Sequence, residues 1–369
     1  MSLRATLRRA QLHYAGGMAV HTASSGAVQA LDALYLLLDD GVHRGVGEVR
    51  LNIAYLTGLA PQAVLDAARR FVSRSDWPEA SADLRAFVAA LPLSVPAPVR
   101  MLVDLAVHDL LARREGVLLA HMLGGTGVVV RYPTNQTLFF SDMPTFQRRC
   151  IAYVARGFTQ LKIRIGADLD ADLDRLRWLR DHFGADITLS ADANGQWDEP
   201  AALTALDRLA AFRLDYVEQP VAAGDWAMLE RVAARSPVPL MLDESLADMA
   251  ACRRLAEMTR PPMAHLKLVK LGGLAALLSA ARMLQAAGVT LMIGQMNEGA
   301  IATAAALHAA CVLTPRFAEL YGADGLADDP ASGLVYRDGA VGLAGMERSG
   351  FGLAFDATLT QPQLFMETC

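Results

Sequence analysis

The chain has 369 residues, of which 53% are hydrophobic and 20% are charged, and its formal net charge is −5. This length exceeds that of one small domain, and so much apolar sequence can bury large cores, so we expect a compact protein of two structural parts rather than a disordered chain. The acidic balance and the lack of a basic cluster mixed with aromatic residues argue against a nucleic-acid partner.

Four cysteines lie far apart in the sequence and form no Cys-x-x-Cys pair, which argues against a disulfide framework or a zinc site and favours a reducing, cytoplasmic location. They are Cys150, Cys252, Cys311 and Cys369. The N-terminal residues lack the apolar stretch of a secretory signal, so we expect an opening strand there. The apolar run 299–313 is short for a bilayer span and contains His308, so we expect a buried helix and no membrane partner.

The first 125 residues predict an α+β unit. Apolar stretches within 30–51 flank Asp39, Asp40 and Gly41, which is the composition of two strands joined by a tight turn. Three amphipathic segments follow, with apolar residues three or four positions apart. They predict helices at 61–72, 81–91 and 96–114. An antiparallel sheet followed by helices is typical of an α+β unit.

From Gly124 and Gly125 onward, short apolar runs alternate with longer amphipathic ones. They predict eight strands, at 131–137, 159–164, 186–191, 214–218, 238–242, 264–268, 290–294 and 317–320. With helices between them, residues 126–329 predict a (β/α)₇₋₈ barrel. The turn-rich residues 330–369 are expected to pack back onto the first unit.

Three carboxylates follow apolar runs at nearly equal intervals of 26 and 25 residues, at Asp192, Glu218 and Asp243. This interval matches one strand, one helix and two short loops, so each carboxylate stands at the C-terminal end of a barrel strand. Those ends share one rim, where three carboxylates would repel each other unless a cation lay between them. Oxygen ligands favour a hard ion, so the pattern predicts a Mg²⁺ site, with Mn²⁺ as the alternative.

Cationic residues continue the same interval on both sides. Lys267 lies 24 residues after Asp243, and Arg164 lies 28 residues before Asp192, with Lys162 two positions earlier on the same face of its strand. A single lysine at a strand end is usually solvated or salt-bridged. Five charged residues in phase with one repeat favour a catalytic site.

Five segments in this order resemble the enolase superfamily: QLKIRIG, DANGQW, VEQP, LDES and HLKLVKLGG. The lysine on the sixth strand points to the muconate-lactonizing-enzyme-like subgroup rather than to that of mandelate racemase. RGVGE and the stretch from DLAVHDLL to LGG resemble the capping domain of the family, so the resemblance covers most of the chain. It implies an α/β fold, namely a modified (β/α)₇₋₈ TIM barrel at 126–329 with an N-terminal α+β capping domain at 1–125.

The resemblance also implies a function. Mg²⁺ would be held by Asp192, Glu218 and Asp243, the substrate would be a small carboxylate, and the protein would be a homo-oligomer. Enzymes of this superfamily use a Lys or His base, and Mg²⁺ stabilises the charge formed when a proton is removed next to a carboxylate.

Arg164 departs from the usual Lys-x-Lys pattern of the subgroup. Because a guanidinium is effectively always protonated, Lys267 is the better base, and Lys162 or Arg164 would stabilise the carboxylate or enolate. Chemistry with one base fits a cycloisomerase or a dehydratase. An N-acyl-amino-acid racemase or epimerase is the alternative, because it needs a proton donor and acceptor on both faces.

Further residues near strand ends and in capping loops are candidate substrate contacts. They are Asn194, Gln295, Asn297, Glu298, Glu319, Tyr321, His21, Tyr55 and Asn135. A turn role for Asn194 and simple exposure of His21 remain open. FAELYG resembles the ELFGP-type ending of cycloisomerases, whereas the Asp-x-Asp signature of dipeptide epimerases is replaced by Glu319 and Tyr321, which disfavours dipeptide epimerization.

Two readings from other classes stay open. A Schiff-base aldolase could use Lys162 or Lys267, and a barrel without catalytic activity could serve as a binding protein.

Overall fold

The structure is a computed structural model and describes residues 3–15, 20–22, 26–125, 127–166, 168–345 and 347–365. The N-terminal part contains, in chain order, β1 (Arg4–Leu12), β2 (Val20–Thr22), β3 (Gly26–Val28), β4 (Leu31–Asp39), β5 (Arg44–Arg50), α1 (Ala54–Thr57), α2 (Pro61–Arg74), α3 (Ser81–Ala89), α4 (Ala97–Arg114) and α5 (Leu119–Met122). Strand β4 lies between β1 and β5 and is antiparallel to both.

The turn between β4 and β5 forms where the sequence predicts it. The side chain of Asp39 accepts a hydrogen bond from the Gly41 amide (2.8 Å), and that of Asp40 accepts one from the His43 amide (2.7 Å). Gly41 has a φ of 88°, a left-handed conformation that glycine adopts without steric cost.

Helix α4 packs on β5 at very short range. Most of its residues are buried, including the carboxylates of Asp104 and Asp109. A Cβ at Gly47 would lie 2.0 Å from the carbonyl oxygen of Leu102, so only glycine permits this approach. The buried carboxylate of Asp104 on α4 accepts a hydrogen bond from the Leu274 amide (2.7 Å), which ties the N-terminal part to the barrel.

The central part alternates strands and helices. It contains β6 (Arg131–Pro133), β7 (Gln136–Leu138), α6 (Met143–Ala155), β8 (Gln160–Arg164), α7 (Leu169–Phe183), β9 (Thr188–Asp192), α8 (Glu199–Leu209), β10 (Val217–Glu218), α9 (Trp226–Arg235), β11 (Leu240–Leu242), α10 (Met249–Ala256), β12 (Met263–Lys267), α11 (Leu268–Leu271), α12 (Leu274–Ala286), β13 (Leu291–Gly294), α13 (Ala300–Leu313) and β14 (Phe317–Glu319). A 3₁₀ turn at Ala210–Phe212 follows α8.

Strands β7 to β14 form one eight-stranded sheet in sequential order, and each pair is parallel. Five of the barrel helices begin after an aspartate whose side chain accepts a hydrogen bond from the amide three residues on, which satisfies a free donor of the first turn. These residues are Asp142, Asp168, Asp198, Asp225 and Asp248. The predicted α/β barrel with an N-terminal antiparallel sheet is confirmed.

One predicted strand is wrong. Residues 131–137 form two strands in different sheets, since β6 pairs with β17 (Ala340–Leu343) and only β7 joins the barrel. The chain changes partner between them, because the Thr134 amide bonds to the Gly339 carbonyl and the Asn135 amide to the Ala318 carbonyl.

The C-terminal part runs back over both earlier parts. It contains β15 (Ala331–Ser332), β16 (Leu334–Arg337), β17, β18 (Ala354–Phe355), a 3₁₀ turn at Ala357–Leu359, and β19 (Gln361–Phe365). Strand β19 pairs antiparallel with β1, at the edge of the N-terminal sheet. The domain boundaries at residues 125 and 329 stay predictions. In the described ranges, no helix has both the length and the hydropathy to cross a bilayer, and the apolar run 299–313 forms the buried helix α13.

Candidate active site

The charged side chains meet at the C-terminal ends of the central barrel strands. The strand register places Asp192 beside Arg164 on one side and beside Glu218 on the other, and Asp243 follows the next strand, β11. Alternation along each strand turns these positions into the barrel. The predicted cluster of charges is therefore assembled by neighbouring strands.

Lys162 lies beneath the cluster and has no solvent exposure. Its Nζ is 3.2 Å from both carboxylate oxygens of Glu218, 3.3 Å from Asp192 and 2.5 Å from Glu319. Burial opposes its charge, but these three carboxylates outweigh that effect and raise the pKa of Lys162 well above the usual range. Lys162 thus forms ion pairs with carboxylates of three strands.

Arg164 faces one side of the cluster. Its NH1 donates to Asp192 Oδ2 at 2.5 Å and also to the side-chain oxygen of Asn194. Burial lowers the pKa of Arg164, yet the adjacent Asp192 carboxylate more than offsets this and the pKa is raised. Arg164 therefore stays charged, and the Asn194 side chain lies against it.

Lys267 faces the opposite side. Its Nζ lies 2.5 Å from Asp243 Oδ2 and 3.7 Å from Met296 Sδ. Burial lowers the pKa of Lys267, but the Asp243 carboxylate outweighs this effect and the pKa is raised in this arrangement. Asp243 would lose this effect once its oxygens bind a divalent cation.

His265 and Lys270 also belong to this cluster and were not predicted from the sequence. His265 is fully buried, with Nδ1 3.2 Å from Glu218 Oε1 and 4.0 Å from Asp243 Oδ2, and burial lowers its pKa so that the ring is neutral. It is two residues before Lys267 on the same strand face, so strand alternation could have revealed it. Lys270 donates to Asp243 Oδ1 at 2.6 Å from the helix that follows, a position without periodic signal.

Gln219 and Glu244 are two further polar residues that we did not predict. Gln219 has a φ of 39°, which non-glycine residues hold only where the surroundings enforce it. Its side-chain oxygen accepts from the amides of Asp243 (3.1 Å) and Ser245 (3.2 Å), so it positions the end of β11. Glu244 accepts from Asn194 at 3.1 Å, and burial raises its pKa to about 7.

The candidate substrate contacts from the last strands differ in their hydrogen-bond partners. Glu319 reaches the cluster through Lys162 and accepts from Asn135 Nδ2 at 3.1 Å. The Gln295 side chain is buried and has no hydrogen-bond partner in the described part of the chain. Asn297 instead donates to the Tyr14 hydroxyl at 2.8 Å, and Glu298 accepts from the Met296 amide at 3.2 Å, with its pKa raised by burial to about 7.

The remaining candidates come from capping loops and from the end of β14. The Tyr55 hydroxyl is buried without a partner among the described residues. Burial raises its pKa, and the positive charges of Arg50, Lys267 and Arg164 partly oppose this. The Tyr321 hydroxyl bonds to the Thr137 side chain. His21 lies in β2, and its side chain is outside the described residues. The roles of all the candidate site residues stay predictions.

The cluster fits a divalent cation. Glu218, Asp243 and His265 each offer one ligand atom, and these atoms lie within 4.8 Å of one another. Asp192 is the register neighbour of Glu218 and is equally buried. Buried carboxylates this close are destabilising unless positive charge compensates them, and here three lysine ammonium groups lie among them. The oxygen-rich set suits a hard ion.

Mg²⁺ should therefore stabilise the fold. We expect the wild-type melting temperature to rise by several degrees with Mg²⁺ at a hundredfold excess over its dissociation constant, since binding to the native state alone contributes about 2.7 kcal/mol under those conditions. In Asp243→Asn the rise should shrink to about one degree or less, because two of the lysines lose their partner and the ion loses a ligand. Asp225→Asn, at the exposed N-terminal end of α9, is the control and should keep the rise. An unchanged rise in Asp243→Asn would contradict the site.

Residues 145–359 match the family of enolase C-terminal domain-like proteins. The chain belongs to the enolase superfamily. It is 35% identical over 266 residues to the L-Lys-D/L-Arg epimerase of Methylococcus capsulatus, covering 69% of this chain and 72% of that one. It is 26% identical over 209 residues to the N-succinyl-L-Arg/Lys racemase of Bacillus cereus, so it spans only 56% of that relative.

Solved structures agree with this assignment. The dipeptide epimerase from Methylococcus capsulatus, complexed with Mg and the dipeptide L-Arg-D-Lys, superposes with a TM-score of 0.85 at 26% identity, over 96% of this chain and 100% of that one. The muconate lactonizing enzyme from Pseudomonas fluorescens, complexed with muconolactone, gives 0.86 at 26% identity over 97% of both chains. The predicted resemblance to the muconate-lactonizing-like subgroup is confirmed, and the chain is an enzyme of this superfamily.

Proposed function

We propose that the chain is a Mg²⁺-dependent enzyme that removes a proton from the carbon α to a substrate carboxylate, with Lys267 as the only base, and that water or a lactone oxygen then leaves the β-carbon. Cycloisomerization is this sequence in reverse: closure of the lactone gives the enolate, and the Lys267 ammonium group returns the proton to the α-carbon. One observation carries this proposal. Lys267 on β12 and Arg164 on β8 are four strands apart in an eight-stranded sheet, so they face each other across the carboxylate cluster. A carbon held between them meets a lysine on one face and an arginine on the other.

Each residue then has a distinct role in the removal of the α-proton. Lys267 Nζ takes the α-proton and becomes an ammonium group, while Arg164 keeps its positive charge near the developing enolate. A divalent cation held by Asp192, Glu218 and Asp243 would supply Lewis-acid stabilisation of the added negative charge. Lys162 stays protonated beneath the carboxylates and keeps them in place.

A second candidate is a racemase or epimerase of N-acyl amino acids or related amino-acid derivatives. The relative that is 35% identical to this chain is named an epimerase, which favours this reading. Against it, Arg164 stands where a second lysine would give and take the proton, and Glu319 and Tyr321 replace the Asp-x-Asp element of dipeptide epimerases. Because the chain belongs to a family of enzymes, the hypothesis of a binding protein without catalytic activity is disfavoured.

The test is a panel of carboxylates incubated with the enzyme and Mg²⁺ in D₂O, covering diacids such as muconate, hydroxy acids, N-acyl amino acids and dipeptides. We expect deuterium at the α-carbon or a product of water loss or ring closure, from one enantiomer where the substrate is chiral, and none of these after chelation of Mg²⁺. Equal exchange of both enantiomers would favour the racemase. Turnover that survives chelation would contradict the proposal, and borohydride trapping of the protein would indicate an aldolase.

A further inference from the structure

A cavity of about 210 Å³ lies beside the candidate active site, at the seam of the barrel. The parallel ladder begins at β7 and ends at β14, and among the described residues no ladder joins these two strands. They are linked by the Asn135 amide, which donates to the Ala318 carbonyl at 3.1 Å, and by the Leu320 amide, which donates to Thr134 Oγ1 at 2.8 Å. The two strands that close the barrel are therefore linked by few hydrogen bonds beside the cavity.

Tyr321 forms a wall shared by the cavity and the active site. Its ring lines the cavity and packs edge to face with that of Phe139, with 6.3 Å between the ring centroids. Its hydroxyl bonds to the Thr137 side chain, and burial together with the nearby Glu319 carboxylate raises its pKa. Asn297, at the end of the seventh strand, lines the same cavity. A substrate that extends from the barrel mouth across this rim would enter the cavity.

The cavity combines aromatic walls with an arginine whose guanidinium has no hydrogen-bond partner among the described residues. Arg156 is paired with Asp324 at 2.8 Å, and Asp324 also accepts from Gln136 Nε2 at 3.0 Å, so these charges balance. Arg149 lines the cavity and is partly buried, yet its guanidinium forms no hydrogen bond or ion pair with any described residue. A planar guanidinium with free donors is suited to bind a carboxylate through two parallel hydrogen bonds.

We infer that this cavity is a subsite for a second carboxylate at the far end of the substrate, bound by Arg149. The inference rests on the proposed function and narrows it to dicarboxylates, with one carboxylate at the reaction centre and one in the seam. The rings of Phe139 and Tyr321, which pack on each other, would line one side of the path taken by the carbon chain that joins the two carboxylates. Both a diacid and an N-succinyl amino acid have this chemistry, so the subsite does not depend on which reaction follows.

Two matched probes test the subsite. N-succinylglycine and N-butanoylglycine differ only in a terminal carboxylate against a methyl group. Calorimetry with Mg²⁺ should show that the wild-type enzyme binds N-succinylglycine about ten- to a hundredfold more tightly, the usual effect of a hydrogen-bonded charged pair. Arg149→Met should remove this preference and leave the affinity for N-butanoylglycine unchanged.

Arg148→Met is the matched control, because Arg148 is the exposed neighbour on the same helix and bonds to Thr145. It should keep the wild-type preference. Arg149→Lys keeps the positive charge but lacks the planar guanidinium, so it should keep part of the preference for N-succinylglycine. It provides a second variant if Arg149→Met folds poorly. Equal binding of both probes to the wild-type enzyme, or a preference that survives in Arg149→Met, would overturn the subsite.

Exchange of α-protons in D₂O, measured on the same samples, separates the subsite from the proposed function. If both probes exchange in a Mg²⁺-dependent way but with equal affinity, the subsite is wrong and the proposed function stands. If neither probe binds and the full carboxylate panel gives no Mg²⁺-dependent turnover, both are wrong.

Discussion

Replacing Lys267 by methionine should lower the rate of α-proton exchange by about 10²- to 10⁴-fold, the usual contribution of a positioned general base. None of the other nearby cations can take its place. Lys162 is held protonated by three carboxylates, Arg164 is charged at any working pH, and Lys270 is bonded to both the side chain and the carbonyl oxygen of Asp243. Methionine preserves the length and most of the volume of the side chain.

The pH dependence provides an independent check on Lys267. A base must be unprotonated to act, so kcat/KM of the wild-type enzyme should increase as the pH rises toward the pKa of Lys267 and level off above it. Lys267→Met should lose this limb while its Mg²⁺-induced rise in melting temperature persists. Exchange at the wild-type rate in the variant would show that another group removes the proton.

Arg164→Lys should add exchange from the opposite face of the substrate, with the rate for the slow enantiomer rising by about tenfold or more, since a positioned acid or base contributes 10²–10⁴-fold at its best. The reason is geometric and electrostatic. Arg164 lies on β8, across the barrel from Lys267, and a lysine there can lose its proton whereas a guanidinium cannot. The variant would then present lysines on both faces of the α-carbon.

Arg164→Gln is the control for this experiment, because an amide can donate a hydrogen bond to Asp192 but cannot transfer a proton at these pH values. It should slow the fast enantiomer through the loss of a positive charge and leave the slow one unaffected. Stereospecific NMR of the deuterated product distinguishes the two faces. If Arg164→Lys and Arg164→Gln behave alike for both enantiomers, the identity of residue 164 does not set the number of bases.

The carboxylates and their flanking cations were predictable because each stands at the end of a βα unit of nearly constant length. The same reasoning left His265 out, although it alternates in phase with Lys267, because an isolated histidine on an apolar strand has many uses. Gln219 was read only as part of a motif. Its role in holding the amide of Asp243 depends on a left-handed backbone at the end of β10, which no composition signal indicates.

Local patterns along the chain were sufficient for the alternation of strands and helices in the barrel, apart from the break within 131–137, and for the strand ends at which charges stand, since apolar periodicity acts over a few residues. The three-dimensional arrangement was needed to show which charges meet. Lys162 and Glu319 come from β8 and β14 and are 2.5 Å apart, and Arg149 reaches a cavity at the seam of the barrel. Such contacts follow from barrel closure, which brings together residues far apart in sequence.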